Sequence, residues 1–169
     1  MKSMTAYVQL FILTDSEATA RITERLALVL KDPAAYQAEY AEELAERGIE
    51  TKLPAQELRD VALIDALFNE DLLWEADWKD SAADMAEGLN EVLERQKQPV
   101  MLNFAPVVGN YHFGPEQLDD LQDALEKLGY ALVLCTLGSD SFPLSLVAEE
   151  QVETTRALAE ELGFKIMVY

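Results

Sequence analysis

The stretch LGSDSFPL, Leu137 to Leu144, sets two hydroxyls, Ser139 and Ser141, around the carboxylate of Asp140, between two apolar runs. A serine nucleophile with an orienting acid is the chemistry such a trio suggests. That chemistry also needs a base for the hydroxyl proton, usually histidine, and donors for an oxyanion. GSDSF is not G-x-S-x-G, and it leads into a strand-like run rather than a helix. Gly138 suits a positive φ and Asp140 bonds readily within its own turn, so the residues read first as a hairpin reversal.

His112 is the single histidine, and so the one side chain whose ordinary pKa lies near neutrality. It sits in VVGNYHFGP, and spacing places no acid beside it. Asn110, Tyr111, His112 and Phe113 are nonetheless expected to form a contact surface, together with Ser139, Asp140 and Ser141, because loops carry function on rigid scaffolds.

The segment EADWKD gathers Glu75, Asp77 and Asp80 around Lys79. In a strand, Glu75 and Asp77 share one face, about 7 Å apart. Such a pair binds Mg2+ or does acid–base work, or else is the solvated face of a sheet neutralised by Lys79. One His and one Cys leave too few ligands for a zinc site, and EF-hand, G-x-G-x-x-G and Walker patterns are absent. Cys135 lies in an apolar run, where a thiol is inert packing. No catalytic residue and no cofactor are assigned.

Charge is the strongest global feature. Thirty-two acids against 13 bases give -19 at neutral pH. Residues 1–97 carry 21 acids and 10 bases, and residues 98–169 carry 11 and 3, so no basic segment hides in the average. Nucleic acids and anionic membranes are bound through Lys and Arg, and both would be repelled. A basic protein partner would be attracted, and solubility alone would also be served.

The elements that must hold these residues follow from periodicity and capping. Thr5–Leu13 is a buried helix or strand, and Gln9 interrupts its apolar stretch with no cleavage site after it. No run approaches the roughly 18 apolar residues of a membrane span, so a soluble cytoplasmic chain is expected. Asp15 or Ser16 caps a helix buried through Ile22, Leu26, Val29 and Leu30. Asp32 and Pro33 open another that ends at Gly48, with Tyr36, Tyr40 and Leu44 on one face. A further helix over Ala55–Asn69 turns Leu58, Val61, Ala62 and Phe68 inward.

Beyond residue 69 the period changes. Leu72–Trp78 alternates as a strand, and Ser81 with Asp84 starts a helix carrying Met85, Leu89, Val92 and Leu93. Gln98–Ala105 alternates as a second strand. Pro115 and Gly129 bound a helix with Leu118, Leu121, Leu125 and Leu128 on one stripe. Burying four leucines contributes about 6–12 kcal/mol gross, while ordering that helix costs about 1–2 kcal/mol per residue, so a sheet must lie beneath it. YALVLCTL and FPLSLV are strands, Glu149–Leu162 is a helix, and FKIMVY alternates after Gly163. Pro143 belongs at a strand start or an edge, because it lacks a ladder donor.

This order predicts an α+β chain, with a helical N-terminal region over residues 1–69 and a sheet region over 70–169. The sheet is expected to be ferredoxin-like, a split βαβ arrangement with helices on one face. The runs LLWEADWKDSAADM and LDDLQDALEKLGYALVLCTLGSDSFPLSLV resemble a bacterial domain-of-unknown-function family of small acidic α/β proteins. The likeness covers the last two thirds of the chain, centres on the GSDSFP hairpin and brings no activity with it.

Two readings of function stand. In the first, a non-enzymatic module meets a more basic protein partner through its acidic surface, as a toxin-neutralising immunity protein would. In the second, a small-ligand or divalent-metal module, or a weak enzyme, uses Glu75, Asp77, His112 and the Ser139–Ser141 turn.

Overall fold

The apolar stretch behind the N-terminus is helical: α1 (Lys2–Ile12) buries Met4, Tyr7, Val8, Phe11 and Ile12. The computed structural model describes residues 2–104, 115–136 and 141–169. Asp15 caps α2 (Ser16–Lys31), its carboxylate accepting from the Ala18 amide at 3.0 Å. Asp32 does the same for α3 (Pro33–Glu39), with Pro33 in the first turn. The run expected to continue to Gly48 breaks at Tyr40, and α4 (Ala41–Glu46) follows. Then α5 (Ala55–Phe68) buries Leu58, Val61 and Ala62 as expected, but Phe68 is 49% exposed. Phe68 ends the helix one position past Leu67, which is the residue that turns inward.

The first strand is shorter than the alternation suggested. β1 (Trp74–Asp77) stops where Asp80 donates back to the Asp77 carbonyl at 2.9 Å, and Trp78 sits exposed in that turn. A complete capping box between Ser81 and Asp84 opens α6 (Ala82–Arg95). The strand expected over Gln98–Ala105 does not form within the described residues 98–104. Val100, Leu102 and Phe104 do face the core, but the strip lies along α6. There the Asn90 side chain takes both backbone groups of Leu102, donating to its carbonyl at 2.9 Å and accepting from its amide at 2.7 Å.

α7 (Pro115–Leu128), β2 (Tyr130–Cys135), β3 (Ser141–Ala148), α8 (Val152–Leu162) and β4 (Ile166–Val168) complete the chain, with a 3-10 turn at Glu149–Gln151. Leu118, Leu121 and Leu125 of α7 are fully buried, and Leu128 is half-buried beside them. Gly163 ends α8 at φ 84, a left-handed backbone that favours glycine, and the Gly163 and Phe164 amides both bond to Ala159 O.

The four strands are antiparallel to their neighbours in the order β1-β3-β2-β4. The fold is therefore α+β, but the ferredoxin-like sheet is not what forms. There the last strand returns beside the first, whereas here β4 pairs with β2. Both crossovers, β1 to β2 and β3 to β4, step over one strand in the same direction, and they start from strands of opposite direction. Crossovers of one hand must then lie on opposite faces of the sheet. Accordingly Val133, Cys135, Val147 and Val168 meet α1, α2, α5 and α8, while Ala76, Leu132, Leu144 and Leu146 meet α6 and α7. Helices cover both faces, not one.

Pro143 obeys the edge rule locally. The ladder to β2 ends at Leu134 opposite Leu144, so Pro143 is paired only with Glu75 of β1.

Candidate functional site

The arginines of this chain are largely engaged by its own carboxylates. Arg25 rises from the apolar face of α2 and is buried; its Nε donates to the Tyr36 hydroxyl at 2.9 Å. Its guanidinium lies 4.1 Å from the Tyr40 ring centre, and its Nη2 stands 3.0 Å from Glu43 Oε2. The four-residue spacing of Tyr36 and Tyr40 puts both rings on one side, where they meet the Arg25 guanidinium of α2. Arg47, after α4, donates to Asp65 of α5 at 2.6 Å and pairs with Glu75 of β1. The result is a connected set of two guanidiniums and three carboxylates that ties four helices to the first strand.

The titration of this set follows from its burial. Desolvation raises Asp65, and the hydrogen bond and charge of Arg47 oppose that rise. Desolvation also raises Glu43, but hydrogen bonds from Asn69 and Arg25 outweigh it and hold that carboxyl below the usual range. Arg47 is pushed further up against its own desolvation by bonds to Glu75 and Asp65.

Three further arginines are committed in the same way. Arg21 grips Glu70 through two bonds of 3.0 and 2.6 Å. Arg95, in the last turn of α6, reaches Asp15 Oδ2 at 3.0 Å and the Glu70 carbonyl at 2.9 Å. Arg156 pairs with Glu153 and donates to Val168 O at 2.6 Å, which also occupies an acceptor on the open edge of β4. Among the described residues, Arg21, Arg25, Arg47, Arg95 and Arg156 are thus in ion pairs with the chain's own acids.

The unbalanced acids remain outside, and two adjacent helices carry a large share. On α6 the exposed residues include Asp84, Glu87, Glu91 and Glu94; on α7 they include Glu116, Asp119, Asp123 and Glu126. Their three- and four-residue spacing follows from amphipathicity, because the opposite faces of both helices are spent on the sheet. Exposed cations on this layer are Lys97 and Lys127.

The residues picked out by type fall as follows. Glu75 is half-buried and held by Arg47. Asp77 is exposed and closes its own turn: its carboxylate accepts from the Lys79 amide, and its amide donates to Asp80, each at 2.9 Å. Lys79 places its ammonium 5.3 Å from the Trp78 ring centre. Ser141 is the first residue of β3, directly across from Asp77. Asn110, Tyr111, His112, Phe113, Ser139 and Asp140 lie outside the described residues. Among the described residues no three His, Cys, Asp or Glu side chains are grouped as a metal site. Nor is any described helix long and apolar enough to cross a membrane. Cys135 is buried, and desolvation pushes its thiol up to about 12.

Sequence reasoning passed over the arginine network. Its one available signal was Arg25, a charge three residues from Ile22 and one from Leu26 on an otherwise apolar helix face. Burial of that kind needs partners, and the two tyrosines and Glu43 supply them.

No curated protein matches the chain, and no solved structure matches it. A family model described as a domain of unknown function, DUF6630, matches residues 4–169, so the match extends through the helical region as well as the sheet. The chain belongs to the family of domain of unknown function DUF6630.

Proposed function

We propose that this is a non-enzymatic interaction protein whose acidic α6–α7 face receives a more basic protein partner in the cytoplasm. The observation that carries this reading is the division of charge. Arginines are drawn into intramolecular pairs, while Glu87, Glu91, Glu94, Asp119 and Asp123 stand exposed on two neighbouring helices. A field of one sign over such a layer speeds encounter with a cationic partner and suppresses anionic ones. A toxin-neutralising protein is one instance of this class.

The reading as a small-ligand or metal module through Glu75, Asp77, His112 and the Ser139–Ser141 turn has less to support it. Glu75 is taken by Arg47 and Asp77 by its own turn.

The test is affinity purification at low salt with two baits, the parent chain and a Glu91→Lys/Asp123→Lys variant. A partner of high pI retained by the parent and missing from the variant is the expected result. Identical recoveries on both baits would refute the reading.

A further inference from the structure

We infer that the partner docks in the groove along the outer edge of α6, and that this groove takes an extended basic segment carrying one apolar side chain. The inference rests on the reading of the chain as an acidic interaction protein and assigns that role to one place. The groove is open to solvent and spans about 760 Å³. One wall is the exposed face of α6, with Glu87, Glu91 and Glu94; the other is the strip Pro99–Met101.

That strip is fixed at both ends, which makes the groove a standing feature. Upstream, Gln98 accepts from the Tyr130 hydroxyl at 2.5 Å and donates to the Gln96 carbonyl at 3.0 Å. Downstream, Asn90 holds Leu102 through its two backbone bonds. Between these pins Met101 is 64% exposed, more than any other large apolar side chain among the described residues. A pre-ordered groove binds without paying again for its own ordering.

Charge selects the occupant. Three carboxylates face one cation in the lining, Lys97, because Arg95 is turned away to Asp15 and Glu70. A second copy of this chain, at -19, would be repelled. A polybasic segment would place its ammonium or guanidinium groups on the α6 wall. A large apolar residue within it would cover Met101, whose flexible thioether adapts to varied shapes.

The test uses two defined probes, acetyl-Lys-Lys-Phe-Lys-Lys-amide and the same peptide with Ser in place of Phe, titrated calorimetrically into the full chain at low salt. The Phe peptide is expected to bind about fivefold more tightly, the size of a partly buried aromatic ring. Met101→Ser abolishes that preference, and Glu87→Gln/Glu91→Gln weakens both peptides. Asp119→Asn/Asp123→Asn on α7, with the same loss of charge, keeps the preference. All these side chains are exposed, so unchanged urea midpoints separate binding effects from folding effects.

Equal binding of the two peptides by the parent, or losses from the α7 pair as large as from the α6 pair, would overturn the groove while leaving a general acidic interaction surface. Failure of both peptides to bind at low salt would remove the groove and the acidic surface alike. A concentration-dependent dimer of the chain alone that Met101→Ser abolishes would give the groove to a second copy and also overturn the inference.

Discussion

Arg47 and Asp65 meet at 2.6 Å, and the same guanidinium reaches Glu75 on the first strand. One side chain therefore joins α5 to β1, an edge strand of the sheet. Replacing Arg47 with Ala leaves two carboxylates facing each other in a partly dry site, at an expected cost of about 2–4 kcal/mol. Arg47→Lys should recover only part of it, since an ammonium lacks the planar fork that serves two acids. Urea midpoints of the two variants measure this.

Gly88 of α6 lies under the indole of Trp74, so a β-carbon there would fall 2.2 Å from the ring. Gly88→Ala should therefore destabilise by about 1–3 kcal/mol, although alanine is the better helix former. Adding Trp74→Leu should return much of that loss. A double-mutant cycle with no coupling between the two positions would contradict the packing described.

Asp15 links two regions by accepting from the Ala18 amide and from Arg95, and those bonds lower its pKa in that order. A folded value below the unfolded one stabilises the fold above the unfolded pKa, near about 4, and is lost as pH falls through the lower folded value. Asp15→Asn keeps a capping side chain but removes the titration. Its urea midpoint should fall less than the parent's between about pH 5 and about pH 2.

Cys135 should be unreactive in the folded chain. Its sulfur is buried within β2, and a thiol pushed up to about 12 is almost wholly protonated at neutral pH. Labelling with a disulfide reagent at pH 8 is expected to follow global unfolding, accelerating in urea in step with the loss of helix signal. Fast labelling without denaturant would contradict its burial.

Local signals were legible where one side chain decides them. Asp15, Asp32 with Pro33, the Ser81–Asp84 box and Gly163 each mark a boundary that the fold keeps. The alternation over Val100, Leu102 and Phe104 is real, yet it does not say whether the neighbour is a strand or a helix; Asn90 makes it a helix. Strand order was not legible either. Three-residue β4 carries too little pattern to choose between the β1 and β2 edges, and that choice puts α8 on the opposite face from α6 and α7. For the candidate site, total charge was plain in the composition, but its division between arginines paired within the chain and exposed acids on α6 and α7 depends on contacts such as Arg47 to Glu75, 28 residues apart.

The division of charge is tested most directly by titrating the partner recovered at low salt into the parent chain and into Glu87→Lys/Glu91→Lys, at about 50 and about 300 mM salt. The account predicts parent affinity that drops at least about tenfold between the two salts, and a reversed variant whose binding is weak at both. Affinity that ignores salt, or a reversed variant that binds as the parent does, would contradict it.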